Sequence, residues 1–210
     1  MLIKKGAEAS LYLEDWYGRK AVLKKRAPKR YRIPELDREI QSRRTKHEPQ
    51  VIHRAQEAGV PTPIVLFVDV KEATIVMEYV EGEQVKQVLN GLPQDERRRL
   101  CTHIGELVGK LHSSGIVHGD LTTSNMILTP MGRVVFVDFG LSEQTWEAEA
   151  RGVDLHLMKM AIASTHFMHA DECFDAVMAG YRKSAGKKAM DEVLGKVSEI
   201  ERRGRYISER

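Results

Sequence analysis

The sequence has little cysteine and no long apolar run, and both absences restrict what kind of protein it encodes. Its only cysteines are Cys101 and Cys173, which show no metal-binding spacing. This excludes a disulfide-stapled scaffold and a cysteine-based zinc site, and it predicts two reduced thiols in a cytoplasmic protein. No apolar run is long enough to predict a transmembrane helix, and the opening residues MLIKKGAEAS lack the apolar stretch of a secretory signal.

Positive charge is unevenly distributed along the chain, although the net charge is only +3. Residues 19–54 contain 13 Lys/Arg and 4 Asp/Glu, a local net charge of +9, so the remainder carries −6. The tail, residues 201–210, adds Arg202, Arg203, Arg205 and Arg210. Such segments favour phosphate-bearing or acidic partners, and the alternative is a solvated helix surface. For residues 24–32 both interpretations stay open.

Hydrophobic patterning divides the chain into a strand-rich half and a helical half. Strand patterns occupy 1–5, 10–26 with a turn at 15–18, 62–70, and 73–80 with a preceding turn at 71–72. Between them, residues 33–59 predict a helix with a break at Pro49 and an end at Gly59. A helix at 94–115, a β-hairpin at 125–140 and further helices after Trp146 complete the chain.

This order of elements predicts an α+β class with two segregated layers. We expect a single domain over 1–210. It consists of a small β-rich lobe at about 1–80, a reduced helical lobe at about 81–200 and a basic tail at 201–210.

Two short segments carry residues suited to phosphate chemistry. The stretch VHGDLTTSNMIL, residues 117–128, contains His118, Asp120 and Asn125, and VDFG at 137–140 places Asp138 directly after an apolar strand. Mg²⁺ takes a few protein oxygens together with phosphates, and Asn125 and Asp138 would supply them. Asp120 would accept the proton of an attacking hydroxyl. Each motif alone is also an ordinary turn, but their combination is specific.

Together these segments resemble the protein-kinase-like fold, with H-x-D-x-x-x-x-N followed by D-F-G. The resemblance implies a catalytic lysine on the third strand, and AVLK at 21–24 assigns this role to Lys24, in contact with the ATP phosphates. It also implies a helix glutamate that pairs with the lysine. Glu48 is our choice, with Glu39 and Glu57 as alternatives, because Pro49 disturbs the helix next to Glu48.

The resemblance implies two further nucleotide contacts in the first half. The segment KKGAEASLY, residues 4–12, stands where kinases carry a glycine-rich loop but contains only Gly6, so Gly6, Ala7, Glu8 and Ala9 would cover the phosphates. The segment VMEYVEG, residues 76–82, is similar to the connection between the lobes. Met77 would close the back of the pocket, and backbone groups of Glu78 and Val80 would bind adenine.

Three kinase-like families differ in the region C-terminal to the D-F-G. Ordinary protein kinases carry an A-P-E segment, which this chain lacks, and aminoglycoside or choline phosphotransferases need a larger acceptor region. The chain most resembles the small atypical kinases of the KEOPS complex, the Bud-type or p53-related-protein-kinase family, in its short archaeal form. Gly119 and Thr122 are normal for that family. Pro49, where the family tends to have alanine, is the main departure.

This resemblance implies a Ser/Thr kinase and ATPase that uses ATP and Mg²⁺ beside the subunit that makes threonylcarbamoyladenosine on tRNA. Partners would be KEOPS subunits, including a small regulatory one, and tRNA bound by the basic segments. Two alternatives remain: a nucleotide-binding regulatory module with little catalysis, and a small-molecule phosphotransferase. Thr122 replaces the lysine of Ser/Thr kinases, so transfer to a protein hydroxyl should be slow and water should compete as the nucleophile.

Overall fold

The computed structural model describes residues 1–6, 8–29 and 31–208, with side chains described as far as Arg203. The strands of the first half are β1 (Leu2–Lys5), β2 (Ala9–Trp16), β3 (Arg19–Arg26), β4 (Val65–Asp69) and β5 (Thr74–Glu78). They form one antiparallel sheet in the order β1-β2-β3-β5-β4. The turn predicted between β2 and β3 is present, because the backbone N–H of Gly18 donates to Asp15 Oδ1 at 3.0 Å.

Strand β3 is central in this sheet, and its register determines which side chains face inward. Lys24 lies opposite Leu11 of β2 and Ile75 of β5. Since side chains alternate between the faces of a strand, Lys24 and Arg26 are buried on one face while Lys25 between them is exposed.

A single helix, α1 (Pro34–Glu57), packs beside the sheet and runs through Pro49 without a break. The predicted break was wrong. An interior proline removes one backbone hydrogen bond, at a cost of about 3 kcal/mol, but Glu48 on one side and Val51 and Ile52 on the other are buried. These contacts hold both halves of the helix in line. The predicted end is confirmed, because Gly59 has a φ of +75°.

The second half is built from helices α2 (Val85–Val88), α3 (Gln94–Ser113), α4 (Ala148–Thr165), α5 (Ala170–Ala185) and α6 (Lys187–Ser208). Helices α3 and α5 cross closely at two glycines. A Cβ on Gly105 would lie 1.9 Å from the carbonyl oxygen of Val177, and one on Gly180 would lie 1.8 Å from that of Thr102. Leu107, Leu111 and Tyr181 fill the core beside this crossing.

Strands of the second half form two small sheets. One joins β6 (Glu83–Gln84), β8 (Met126–Leu128) and β9 (Val134–Phe136), and the other joins β7 (Ile116–Val117) to β10 (Glu143–Gln144). The hairpin of β8 and β9 matches the prediction. Strands β6, β7 and β10 were missed, because two-residue strands carry no alternation to detect.

The α+β class is confirmed, with the five-stranded sheet and the helical layer segregated along the chain. The lobe division near Val80 and the separate tail at 201–210 stay predictions, and the tail lies partly outside the described residues. Among the described residues, no helix combines the length and apolarity that crossing a lipid bilayer requires.

Candidate active site

A buried carboxylate binds the backbone of the loop from His118 to Asn125. Asp154 of α4 accepts the backbone N–H of His118 at 2.8 Å and that of Gly119 at 2.9 Å. His112 of α3 lies 3.2 Å from the same carboxylate through Nε2, and its Nδ1 lies 3.1 Å from the Tyr181 hydroxyl. Burial opposes ionisation of Asp154, but its interactions with His112 and His118 together lower the pKa of its carboxyl. Asp154 therefore fixes the backbone of the loop as a charged acceptor.

Two histidines complete the support of the loop. His118 donates from Nε2 to the carbonyl of Val137 at 3.2 Å and packs on Phe139 with ring centroids 4.6 Å apart. Burial lowers its pKa. His166 lies between Asn90 Oδ1, at 2.7 Å from Nδ1, and Thr123 Oγ1, at 3.0 Å from Nε2. Burial lowers the pKa of His166 as well, and each imidazole connects the loop to a group outside it.

Asp120 and Asn125 face each other across one turn of the loop. The amide nitrogen of Asn125 donates to the Asp120 carboxylate at 2.7 Å and to its carbonyl at 2.9 Å. Because the nitrogen is used in this way, the amide oxygen of Asn125 is turned to serve as an acceptor or metal ligand.

Asp138 holds its carboxylate toward the cleft from a left-handed backbone, with a φ of +66°. Lys24 Nζ donates to its Oδ1 at 2.6 Å. Burial opposes ionisation of Asp138, but Lys24 outweighs it and lowers the pKa of the carboxyl. The side chain is 49% exposed, so the ionised group remains accessible to a cation.

Lys24 is shared between two carboxylates. Its Nζ also donates to Glu48 Oε1 at 2.6 Å, and Glu48 is fully buried on α1. Burial opposes the charge on Lys24, but Glu48 and Asp138 together raise its pKa above the usual range. Arg26 donates to the other oxygen of Glu48. Sequence reasoning missed Arg26, although its position two residues after Lys24 on a strand signals that both share a face.

The sequence-predicted residues line two adjoining cavities between the sheet and the loop. A cavity of about 570 Å³ is lined by Met77, Glu78, Val80, Glu48 and Val22, among others. The backbone N–H of Glu78 already donates to the carbonyl of Ile64 at 2.8 Å. A backbone contact from Glu78 to a base would therefore use the carbonyl oxygen of Glu78.

The second cavity, of about 330 Å³, is lined by several charged side chains. Its lining includes Gly6, Glu8, Ala9, Lys24, Arg26, Arg44, Asp120, Asn125 and Asp138. The structure thus brings together the described residues that we predicted for the site, whereas Ala7 lies outside the described residues. Both cations and carboxylates line this cavity, as binding of a metal-complexed polyphosphate would require.

The turn from Gly6 to Ala9, which lines this cavity and contains a single glycine, contacts α1 through an ion pair. The N–H of Gly6 donates to the carbonyl of Ala9 at 2.9 Å, which closes the turn. Glu8 accepts from Arg44 at 2.7 Å and lies 3.6 Å from Arg32. An ion pair therefore holds a loop that lacks the usual glycines.

Gly119 occupies a position that no other residue fits. Its φ is +79°, and a Cβ would lie 2.1 Å from the carbonyl oxygen of Leu141. The segment after Asp138 therefore passes directly over the loop. An arginine at this point, as in ordinary kinases, would displace that segment.

We expect Gly119→Ala to destabilise the protein more than Gly132→Ala. Both glycines have left-handed backbones, at +79° and +76°, but Gly132 has open space around its Cβ position. Gly132→Ala should cost only the left-handed strain of about 1–2 kcal/mol, whereas Gly119→Ala adds a backbone clash. Denaturant unfolding of the two variants checks this, and equal losses of unfolding free energy would contradict it.

Within the described residues, no cluster of three or more His, Cys, Asp or Glu could hold a metal by itself. A magnesium ion does not need one, because it takes one or two protein oxygens plus substrate phosphates and water. The carboxylate of Asp138 and the amide oxygen of Asn125 fit that donor set.

Known proteins are similar to this chain in sequence and in fold. Residues 10–184 match the family described as the protein kinase domain. The chain is 49% identical to the KEOPS complex subunit Bud32 of Pyrococcus abyssi, over 98% of this chain and 96% of that protein. It is 42% identical to a probable serine/threonine-protein kinase BUD32 homolog of Archaeoglobus fulgidus, over 99% and 97% of the two chains.

A longer relative and a solved structure extend the comparison. The chain is 44% identical to a probable bifunctional tRNA threonylcarbamoyladenosine biosynthesis protein of Methanothermobacter thermautotrophicus, and the match covers 98% of this chain but 36% of that protein. The crystal structure of the Rio2 kinase-ADP/Mg²⁺-phosphoaspartate complex from Chaetomium thermophilum superposes with a TM-score of 0.66 at 16% identity, over 96% of this chain and 70% of that one. This structural likeness confirms the kinase-like fold.

Proposed function

The chain belongs to the Bud32 family of protein kinases, and from that premise we propose that it binds ATP and Mg²⁺, hydrolyses ATP and slowly phosphorylates serine or threonine hydroxyls. It does so within a KEOPS-type complex that supports threonylcarbamoyladenosine formation on tRNA. The names of a KEOPS subunit and of a threonylcarbamoyladenosine biosynthesis protein among its relatives support this role.

The observation that carries the proposal is that Lys24, Asp120, Asn125 and Asp138 line one cavity, while Glu48 is bonded to Lys24. These residues come from β3, α1 and two separate loops of the chain. In the proposal, Lys24 binds the α/β-phosphates, and Asp120 accepts the proton of the attacking hydroxyl or water.

The remaining predicted residues would fix the nucleotide. Asn125 and Asp138 hold Mg²⁺, which neutralises phosphate charge when bound. The turn from Gly6 to Ala9 covers the phosphates. Met77 with the backbone of Glu78 and Val80 borders the base.

Thr122 determines the balance between the two reactions. A threonine hydroxyl can donate one hydrogen bond but carries no charge, so transfer to a bulky protein hydroxyl lacks one stabilising cation. Loss of one such group typically costs roughly 3–4 kcal/mol of transition-state energy. ATP hydrolysis is slowed less by this loss, because a water molecule needs less positioning than a protein hydroxyl. A partner subunit could also supply the missing cation.

We expect Thr122→Lys to raise serine phosphorylation relative to ATP hydrolysis by up to ~10²-fold. The measurement is phosphate release and phosphate incorporation into a generic serine substrate with Mg²⁺-ATP. Met131→Lys, at a 94% exposed residue of the hairpin turn, adds the same charge elsewhere and serves as the control. An unchanged ratio in Thr122→Lys would contradict the assigned role of Thr122.

The partner proposal is tested in the same assay. Purified KEOPS-type subunits and tRNA are added to the wild-type chain, and ATP hydrolysis should rise. A wild-type chain that neither hydrolyses ATP nor phosphorylates protein, alone or with these additions, would overturn the proposed function. Fast transfer to an amino alcohol or sugar would instead favour the small-molecule phosphotransferase.

A further inference from the structure

Strand β3 carries two buried cations where the proposed chemistry uses one. Lys24 and Arg26 are each 5% exposed, whereas the side chain of Lys25 between them is 51% exposed and pairs with Glu72 at 3.4 Å. The run of basic residues is therefore divided by strand alternation, and Arg26 belongs to the interior of the site rather than to the basic surface.

Arg26 binds helix α1 at two points. One terminal nitrogen donates to Glu48 Oε2, and the other donates to Thr45 Oγ1 at 3.3 Å. Thr45 and Glu48 are three residues apart, so they lie on the same face of the helix. The planar guanidinium suits such a two-point contact better than an ammonium group.

Each oxygen of Glu48 thus has its own cation. Lys24 takes Oε1 at 2.6 Å, and Arg26 takes Oε2. This division matters because Glu48 is fully buried. A buried carboxylate that loses its only partner is strongly destabilised, so a site with Lys24 as the sole partner would hold that lysine tightly to Glu48.

Lys24 also reaches Asp138 at 2.6 Å, so it is already shared between two carboxylates before any phosphate arrives. Arg26 Nη2 and Lys24 Nζ each lie 3.4 Å from the point that a Cβ on Gly140 would occupy. The two cations therefore stand side by side at the phosphate end of the cleft, and one can stay with Glu48 while the other moves.

We propose that Arg26 is a positioning residue, which holds Glu48 and helix α1 in place so that Lys24 is free to bind phosphate. The inference rests on the proposed function, because it concerns the lysine that binds ATP in that proposal. It assigns a role to the third basic residue of the VLKKR segment, which contacts α1 through Thr45 and Glu48.

The test compares Arg26→Met, Arg26→Lys and the control Lys25→Met. Arg26→Met keeps the apolar stem but removes the charge, Arg26→Lys keeps the charge without the fork, and Lys25→Met removes a neighbouring exposed charge. For each, we would measure binding of a fluorescent ATP analogue with Mg²⁺, kcat and KM for ATP, melting temperature, and hydrogen exchange in α1.

The expected results separate positioning from simple stabilisation. Arg26→Met should weaken nucleotide binding by about tenfold or more and raise KM in parallel, at a temperature where the protein remains folded. Arg26→Lys should recover most of this loss, and Lys25→Met should behave as wild type. Nucleotide affinity and KM that remain at wild-type values in folded Arg26→Met would overturn the inference, even if its melting temperature falls.

Two further measurements allow the inference to be refuted even if Arg26→Met does not fold or the wild-type chain is inactive. If Arg26→Met does not fold, Thr45→Val removes one of the two helix contacts and keeps every charge, and an unchanged KM in that variant would count against the proposal. If the wild-type chain neither binds nor turns over ATP, the proposed function fails separately. Hydrogen exchange in α1 then tests the inference by itself. Equal protection of the backbone amides of residues 45–52 in wild type and Arg26→Met would overturn it.

Discussion

Replacement of Asp120 by asparagine is expected to lower ATP turnover by roughly 10²–10⁴-fold, the usual contribution of a positioned general base. Asparagine has the same shape but cannot accept the proton of the attacking hydroxyl. Nucleotide affinity should change little, because the amide oxygen of the new asparagine can still accept from Asn125 and because Asp120 is not bonded to Lys24 or Glu48. The side chains that would hold the phosphates thus keep their partners.

Turnover and binding must be measured separately for this variant. Steady-state phosphate release gives the turnover, and titration with a fluorescent nucleotide gives the affinity. Asp175→Asn makes the same chemical change at an exposed residue of α5 and serves as the control. Turnover in Asp120→Asn equal to that of the control would refute the catalytic role and would favour the regulatory-module alternative.

The parts of the site that sequence reasoning predicted lie close together in the chain. His118, Asp120 and Asn125 form one loop, and Asp138 comes directly after the next hairpin, so their spacing alone carries the information. Lys24 required one further step, the resemblance of AVLK to a kinase motif, and strand alternation in the structure buries it while Lys25 is exposed. Local rules suffice where the residues of a site are neighbours in sequence.

The parts that sequence reasoning missed depend on contacts between distant elements. Asp154 reaches the loop from 36 residues away, and no local pattern distinguishes it from other charged residues of α4 such as Arg151 and Lys159. Arg26 looked like part of a basic surface because its partner, Glu48, lies 22 residues away. The helix break at Pro49 was wrong for the same reason, because tertiary contacts of Glu48, Val51 and Ile52 outweigh the local propensity.

Gly119 shows how a local departure from a motif can have a distant cause. The family pattern of ordinary kinases has arginine there, and the sequence shows only that glycine replaces it. The structure supplies the reason, since the Leu141 carbonyl takes the space that a side chain needs. The short segment after Asp138 therefore contacts the loop directly, in place of the longer activation segment that this chain lacks.

Substitution of Asp154 by asparagine is expected to have the largest effect on stability, a loss of about 3–5 kcal/mol of unfolding free energy. Asp154 is 1% exposed and accepts hydrogen bonds from the backbone of His118 and Gly119. Asparagine presents an NH₂ group that would face at least one of these N–H donors. Because the same carboxylate fixes the catalytic loop, ATP turnover should fall together with the stability.

The pH dependence of this loss derives from the pKa of Asp154, which folding lowers below the ordinary value of 3.8. A lowered pKa means that the ionised carboxylate adds stability above pH 3.8, and that this contribution disappears as the pH falls through the folded-state pKa. The wild-type chain should therefore exceed Asp154→Asn by a constant amount near neutral pH, and the difference should shrink below pH 3.8. Denaturant unfolding across this range checks the trend, with Asp191→Asn at an exposed residue of α6 as the control. A difference that stays constant into acid would mean that the shape of the side chain, rather than its charge, supports the loop.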